Sequence, residues 1–220
     1  MKYQSIGPGL AGCLVGAMLL TGCSEPATVE NSTLQVGRDA VVASIEPRVE
    51  AENPFFEESP LYLHYPEFDR IENAHYLPAF ERGMAEQIAE VSAITEQSAE
   101  PTFENTILAL ELSGQLLNRV SAIFYSLSSA HTNDAIRALE QQLAPELAAH
   151  DDKLVLNRTL FARIKTLFDQ RAALELDAES LRLLEQYYID FVRAGAALNS
   201  EQQQRMKEIN AQTAVLQTQY

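Results

Sequence analysis

Residues 176–199 read LDAESLRLLEQYYIDFVRAGAALN, and this stretch carries the pattern that decides the fold. Its large apolar side chains recur at intervals of three or four residues, at Leu181, Leu184, Tyr188 and Phe191. Because an α-helix has 3.6 residues per turn, this spacing gathers them on one face. Asp177 stands at the position of an N-cap, and Gly195 lies near the end, where helices commonly stop. The stretch therefore predicts an amphipathic helix that buries one face.

The same helical period continues through the chain from Phe55 onward, and no segment keeps the alternation of a β-strand. It predicts five more helices, one of them a short helix over Leu160–Leu167. The other four begin at residues that can cap a helix, Asn73, Thr102, Asn133 and Ser200. Short loops between such helices favour an antiparallel bundle, so the predicted fold class is all-α.

Three of these segments carry further expectations. The second helix is expected to run from Thr102 through Phe124, and Pro145 is expected to kink the third. Ser200 and Gln203 form the pattern of a capping box for the sixth helix. Ahead of the first helix, an aromatic segment is expected to pack across the bundle through Phe55, Phe56, Tyr62 and Phe68.

The sixth predicted helix has an apolar stripe that continues to the last residue, at Met206, Ile209, Leu216 and Tyr220. No Gly or Pro follows to end the helix. We interpret this pattern as a helix cut short, with an apolar stripe that lacks its partner. Self-association or poor solubility at this end is the expected consequence.

Acidic residues outnumber basic ones by 31 to 16, which gives the 220-residue chain a formal net charge of −15. Such a surface repels the phosphate backbone, so the composition argues against nucleic-acid binding. The charge fits solubility alone, or the attraction of basic or neutral partners. No nucleic acid is therefore expected among the partners.

The N-terminus has the parts of an export signal. Lys2 gives a short positive start, and the apolar run over 10–20 is too short to span a bilayer as a mature helix. The sequence Leu20-Thr21-Gly22-Cys23 then resembles the lipobox of bacterial lipoproteins, in which the cysteine is lipidated and becomes the first residue. A plain secretory signal with a chance cysteine is the alternative.

From this pattern we expect residues 1–22 to be a lipoprotein signal peptide and Cys23 to carry a lipid anchor that inserts in the membrane. Residues 23–52 are polar and acidic, and they predict a flexible tether. Ser24 after the cysteine favours the outer membrane of the cell envelope, facing the periplasm.

The sequence contains no recognisable motif for hydrolytic chemistry. A helical zinc site needs two histidines four residues apart with a glutamate between them, so that both imidazoles reach one ion. The four histidines are never four apart; they are His64, His75, His131 and His150. Gly-x-Ser-x-Gly and glycine-rich phosphate loops are also missing. We therefore predict no catalytic and no metal-binding residue here, and the sequence assigns no substrate-binding residue.

Two other groups of residues have structural explanations. Asp151 and Asp152 are adjacent, and adjacent side chains on a helix do not converge, so a solvated face explains them. Tyr187 and Tyr188 beside Phe191 fit either core packing or the lining of a cleft, and core packing is favoured.

Three stretches together resemble a known family of peptidases. They are NPFFEESPLYLHYPEFDRIENAHYLPAFERGM at 53–84, PTFENTILALELSGQLLNRVSAIF at 101–124 and the stretch at 176–199 quoted above. The most specific pieces are Pro101–Thr106 and Asp190–Gly195. In order and spacing they are similar to the N-terminal region of the bacterial peptidyl-dipeptidases. These are dipeptidyl carboxypeptidases of the thimet-oligopeptidase (M3) family of zinc metallopeptidases.

The resemblance implies that residues 53–220 are the helical N-terminal lobe of a longer, two-lobed enzyme, and that this lobe walls its substrate channel. The family's His-Glu-x-x-His zinc site would lie C-terminal to everything in this chain, so Zn²⁺ would have no ligand here. The implied function is a fragment of a peptidyl-dipeptidase that releases C-terminal dipeptides from short, unstructured peptides. The chain alone is expected to be inactive.

Two alternatives remain open at this point. The same lobe could serve as a lipid-anchored helical binding or scaffold protein without catalysis. The chain could also belong to a relative of the same superfamily, such as an endopeptidase similar to oligopeptidase A.

Overall fold

The computed structural model describes residues 53–219, which form six helices and no strand. They are α1 (Asn73–Glu96), α2 (Gln115–Ala130), α3 (Asp134–Val155), α4 (Arg158–Gln170), α5 (Ala178–Ala194) and α6 (Ser200–Gln217). Three short elements accompany them: 3₁₀ turns at Tyr62–His64 and Arg171–Ala173, and a π-helical turn at Phe103–Leu108 that runs into Ala109–Glu111. The predicted all-α class is confirmed. The predictions for residues 1–22, Cys23, the tether and Tyr220 lie outside the described residues.

The helix starts show which side chains cap them. The Asp177 and Asn133 side chains accept backbone N–H groups at the starts of α5 and α3, as predicted. Two predicted caps are wrong by one residue. Glu72 rather than Asn73 precedes α1, and Asn199 rather than Ser200 caps α6.

The cap of α6 lies one residue before its predicted position because Asn199 and Gln202 each accept the backbone amide of the other. The Asn199 side chain accepts the Gln202 amide at 2.9 Å, and the Gln202 side chain accepts the Asn199 amide at 3.2 Å. Asparagine caps a helix about as well as serine, so both residue types fit the pattern and the sequence does not choose between them. Gln203 is left free to bury its side chain, which donates to the Ala196 carbonyl at 3.2 Å.

The predicted second helix is in fact broken. Thr102 does cap a helical turn, with its side chain accepting the Asn105 amide, but that turn is the π-helix and the chain breaks before α2. Gly114 precedes α2 with φ of 70°, a left-handed conformation that glycine adopts without steric cost. Its amide donates to the Glu90 carboxylate of α1 at 2.7 Å. This tertiary contact fixes the break, and the local period of the sequence does not reveal it.

Two hydrophobic cores lie along α1. The first, which we call the N-core, is formed by Phe55 with residues of α1, α2 and α3, namely Tyr76, Ala79, Phe80, Leu116, Leu117, Val120, Ile123, Phe124, Ile136 and Leu143. The second, the C-core, is formed by the other end of α1, the π-helical turn, α4 and α5, through Val91, Ile94, Ile107, Leu110, Leu160, Ile164, Leu167, Leu184, Phe191 and Ala196. Helix α1 therefore joins both cores.

The close approach of α1 and α2 depends on a glycine. A Cβ at Gly83 would lie 2.9 Å from the backbone N and Cα of Leu117. Because backbone atoms cannot move aside as a flexible side chain can, only glycine allows this spacing.

The stretch Phe103–Ala130 is long and apolar enough, by length and composition, to cross a membrane. Half of its most apolar window is buried inside the fold, and the stretch is interrupted at Gly114. It supplies Ile107 to the C-core and Val120 and Phe124 to the N-core. Its hydrophobicity is that of a core segment.

Helix α6 packs on α3 through a face of small and polar residues. Asn210 donates to the Asp152 carboxylate at 2.7 Å, and Met206, Asn210, Ala214 and Thr218 are partly buried along the same face. Ile209 and Leu216 are exposed. Of the predicted apolar stripe, Met206 therefore lies on the face that packs against α3, whereas Ile209 and Leu216 lie on the exposed side of α6.

The aromatic segment before α1 is only half packed, which corrects one prediction. Phe55 is buried in the N-core and Phe56 is half-buried beneath the Arg82 guanidinium, 4.3 Å from its ring centroid. Tyr62 and Phe68 were also expected to pack across the bundle, but they are 87% and 40% exposed. A left-handed turn, with φ near 55° at Leu63 and His64, carries the chain away from the bundle.

Candidate functional site

The described residues bring no metal centre together. Within 53–219, no group of three or more His, Cys, Asp or Glu side chains is placed to hold a metal ion. The histidines lie on four separate elements. His64 is in an exposed turn, His75 begins α1, His131 follows α2 and His150 is buried in α3. The predicted lipidation site, Cys23, is outside the described residues.

His150 joins α3 to α1. Its Nε2 lies 2.7 Å from Gln87 Oε1, so the neutral ring donates this hydrogen bond in the tautomer with a proton on Nε2. Burial lowers the pKa of His150, and the nearby Lys153 ammonium lowers it further. The neutral side chain therefore links the two helices through this hydrogen bond.

The adjacent aspartates occupy different environments. Asp152 is buried and its carboxylate accepts the Asn210 side chain of α6. Asp151 reaches solvent, yet desolvation of its carboxyl group, with the charge of Asp152 beside it, raises the pKa of Asp151 to about 6. Because neighbouring helical side chains diverge, these two carboxyl groups do not form a catalytic pair. The prediction that both lie on a solvated face is wrong for Asp152.

A buried arginine organises the segment Pro101–Thr106. The Arg163 side chain of α4, only 8% exposed, donates to the Ala99 carbonyl at 3.0 Å, to Asn105 Oδ1 at 2.9 Å and to Thr106 Oγ1 at 3.2 Å. No ion pair to it is found within residues 53–219. Its charge is stabilised by oriented carbonyl, amide and hydroxyl oxygens instead.

Asn105 is the centre of this network. Its Oδ1 also accepts the Thr102 amide at 2.8 Å and the Thr106 hydroxyl at 2.8 Å, while its Nδ2 donates to the Glu100 carbonyl at 2.9 Å. Every hydrogen-bonding atom of the asparagine amide is thus engaged. The segment that is most specific in sequence is therefore a rigid structural joint.

A shallow groove of about 430 Å³ lies between the end of α1 and residues 105–113. Its floor is mostly apolar, and its lining residues are Glu90, Ala93, Ile94, Gln97, Asn105, Ala109, Leu112 and Ser113. The Glu90 carboxylate is already engaged by the Gly114 amide. The groove can accept apolar side chains, but it contains no pair of groups arranged as nucleophile and base.

The aromatic residues of α5 pack as the sequence favoured. The Tyr188 ring stacks on Phe168, with centroids 3.8 Å apart and planes within 9°, and Phe191 is buried in the C-core. The Tyr187 hydroxyl donates to Glu111 at 2.6 Å. Core packing is therefore confirmed for Tyr188 and Phe191.

Sequence reasoning missed one exposed feature, the turn at residues 61–65. Leu61, Tyr62, Leu63 and Tyr65 are all large, and all are exposed. Of these residues, only Tyr62 was assigned a place from the sequence, and it was expected to pack across the bundle. The prolines at 60 and 66, which bound this stretch, were the signal that it forms a separate turn.

The comparisons with known proteins define a class of enzyme. No family model matches the chain. Among curated proteins, four peptidases match it significantly. The chain is therefore related in sequence to bacterial peptidases.

Within that class two kinds of enzyme match the chain. The chain is 44% identical over 168 residues to the dipeptidyl carboxypeptidases of Salmonella typhimurium and Escherichia coli, over 76% of its own length. It is 24% identical over 155 residues to the oligopeptidase A of the same two organisms. The predicted resemblance to the dipeptidyl carboxypeptidases is confirmed. The chain spans about a quarter of the length of these relatives, 25% for the dipeptidyl carboxypeptidases and 23% for oligopeptidase A.

Proposed function

We propose that this chain is the non-catalytic N-terminal lobe of a zinc-dependent peptidyl-dipeptidase, which releases C-terminal dipeptides from short peptides. One observation carries the proposal: 44% identity to dipeptidyl carboxypeptidases over 76% of the chain, matched to only 25% of their length. A segment this similar has the same helical architecture as the corresponding quarter of those enzymes. Catalytic groups would then belong to the other three quarters.

In such an enzyme a Zn²⁺ ion would polarise the scissile carbonyl and activate water. Residues 53–219 offer no site that fits this ion. Their role is to form a stable wall for the substrate channel. The hydrogen bond from Arg163 to Asn105 joins α4 to the π-helical turn, and each core joins α1 to other helices, which supports that role.

The cellular location is part of the same proposal. The pattern Leu20-Thr21-Gly22-Cys23 supports lipidation of Cys23, an acidic tether over 23–52 and attachment to the outer membrane facing the periplasm. Expression in a bacterium fed a labelled fatty acid tests this: label is expected on the wild-type chain and is lost in Cys23→Ala. Label retained in Cys23→Ala, or absent from the wild type, contradicts the proposed anchor.

A hybrid enzyme tests the proposed activity. Residues 53–219 replace the matched segment of the E. coli dipeptidyl carboxypeptidase, and release of C-terminal dipeptides is measured by mass spectrometry. The hybrid is expected to be active and to lose activity with a chelator, whereas the isolated chain with added Zn²⁺ is expected to release nothing. A folded but inactive hybrid, or hydrolysis by the isolated chain, contradicts the proposal.

The similarity to oligopeptidase A supports a second candidate, an endopeptidase lobe. The products of the active protein separate the two. Dipeptides taken stepwise from the C-terminus support the peptidyl-dipeptidase, and internal cleavage of blocked peptides supports the endopeptidase. The difference between 44% and 24% identity favours the first.

A further inference from the structure

Within five consecutive residues, four large side chains form the most exposed apolar surface that the structure describes. We call Leu61–Tyr65 the apolar tip. Tyr62, Leu63 and Tyr65 are 87%, 79% and 61% exposed, although Phe55 a few residues earlier is buried. Large contiguous apolar surfaces on folded proteins usually mark a place where something binds.

The tip is held in one conformation by its own hydrogen bonds. The Ser59 hydroxyl donates to the Tyr65 carbonyl at 2.6 Å and accepts the Leu61 amide at 3.2 Å. His64 Nδ1 lies 3.0 Å from the Ser59 carbonyl. Leu63 and His64 both have φ near 55°, a left-handed conformation that costs energy for residues with a Cβ. Strain of this kind persists only where the surrounding structure enforces it.

Preorganisation and exposure together are typical of a binding anchor. A rigid turn loses little conformational entropy when it docks, so aromatic side chains on it contribute more of their burial to affinity. The tyrosines and leucines would each bury a large apolar area. The partner must therefore offer an apolar pocket that matches a fixed shape.

Charge indicates what kind of partner this is. Exposed Glu57 and Glu58 precede the tip in the sequence, the Glu58 carboxylate lies 3.6 Å from His64 Nε2 within the tip, and the chain as a whole carries a net charge of −15. Two copies that met through this surface would bring like charges together, which opposes self-association. The complementary surface is an apolar pocket edged with basic groups.

We propose that the apolar tip docks onto the further polypeptide by which dipeptidyl carboxypeptidases exceed this chain. This rests on the proposed function, since the relatives are about four times as long as the segment they share with it. The tip would then anchor the helical lobe to the part of the enzyme that contains the active site.

Hydroxyl-radical footprinting with mass spectrometry tests the proposal on the isolated chain and on the hybrid enzyme described above. Oxidation of Tyr62 is expected to fall at least tenfold in the hybrid. Tyr125 on α2, which is 42% exposed, is the matched control and is expected to change less than twofold. Equal oxidation of Tyr62 in both proteins overturns the proposal. Protection that rises with the concentration of the isolated chain also overturns it, because it indicates docking between copies.

The double variant Tyr62→Ser with Leu63→Ser gives an independent measurement. In the isolated chain it is expected to leave Tm unchanged, and in the hybrid to lower Tm by several degrees. Leu112→Ser, another exposed leucine, is the control and is expected to act equally in both contexts. A large fall in Tm of the isolated chain contradicts the proposal, since it places the tip's contacts within this chain.

The two proposals fail in different ways. A folded hybrid that protects Tyr62 but releases no dipeptide contradicts the proposed function and leaves the docking surface standing. A hybrid that releases dipeptides while Tyr62 is oxidised as readily as in the isolated chain supports the proposed function and contradicts the docking surface.

Discussion

The two cores differ in how they bury a polar group. In the C-core region, the Arg163 guanidinium makes three hydrogen bonds to acceptors from a neighbouring segment. In the N-core, the Tyr76 hydroxyl is buried and has no hydrogen-bond partner among the described residues. A satisfied buried polar group fixes the geometry of its surroundings, whereas an unsatisfied one only costs free energy. Arg163 therefore fixes the segment beside the C-core, whereas the Tyr76 hydroxyl only adds a cost to the N-core, whose satisfied polar contacts include those of Asn53 at its edge.

The largest expected effect comes from the rings of the N-core. Phe124 is fully buried, edge-on to Tyr76 and Phe80, with centroids 5.1 Å and 5.4 Å away. Phe124→Ala removes these contacts and leaves a cavity, so we expect the free energy of unfolding to fall by about 3–5 kcal/mol. Urea denaturation followed by circular dichroism measures it.

This variant also tests whether the cores are independent. Because α1 runs through both, Phe124→Ala is expected to lower one common transition. Leu184→Ala, a truncation in the C-core, is the matched control and is expected to lower that same transition. Two separated transitions in either variant would show that the two cores unfold independently of each other.

The next effect concerns the hydrogen bonds that Arg163 donates to residues 99–106. Arg163→Met keeps much of the side-chain length but leaves the Ala99 carbonyl and Thr106 hydroxyl without this donor. We expect a loss of about 2 kcal/mol, because buried acceptors lose a charged partner while the cost of burying the charge disappears. Arg182→Met on the exposed face of α5 is the control and is expected to change stability by less than about 0.5 kcal/mol. An Arg163→Met protein as stable as wild type would show that apolar packing alone specifies the C-core.

The sequence predicted the parts of the fold that depend on local pattern. The period of three and four residues predicted six helices, and only the second began far from its predicted start, at Gln115 and not at Thr102. Asp177, Asn133 and Gly195 marked helix ends correctly because capping is a short-range interaction. The break at Gly114 depends on Glu90, which is 24 residues away, and no local pattern contains that contact. The exposure of Tyr62 likewise depends on a left-handed turn at two residues that are not glycine.

The candidate site was less predictable for the same reason. The PTFENT segment was recognised by its sequence, but its role depends on Arg163, which lies nearly 60 residues further along the chain. A motif identifies which residues matter. Their contacts show that they form a structural joint here.

A smaller effect, with the opposite sign, is expected at Asp151 of α3. The pKa of Asp151 is raised to about 6 from an ordinary value near 3.8, so its carboxylate disfavours folding when ionised. The cost is present above about pH 6 and disappears as the pH falls below the unfolded value. Asp151→Asn is therefore expected to stabilise the protein at pH 7.5, by about 1 kcal/mol after allowance for solvent screening.

The pH dependence distinguishes this cause from a general packing effect. The advantage of Asp151→Asn is expected to shrink towards zero by pH 4, where the wild-type carboxyl group is protonated in the folded protein. Glu179→Gln, an exposed acid at the start of α5, is the control for removal of one negative charge. Thermal melts at both pH values measure the difference. An advantage that is the same at pH 4 and pH 7.5 would exclude the raised pKa as its source.

The smallest effect concerns the hydroxyl group of the N-core. Burial raises the pKa of Tyr76, and its oxygen has no hydrogen-bond partner within residues 53–219, so the hydroxyl contributes only its desolvation cost. Tyr76→Phe keeps the ring contacts with Phe55 and Phe124 and removes that cost, and we expect a gain of up to about 1 kcal/mol. Tyr65→Phe, in the exposed tip, should change nothing. A loss of stability in Tyr76→Phe would mean that the hydroxyl does have a hydrogen-bond partner. The buried charge of Arg163 would then be the remaining difference between the two cores.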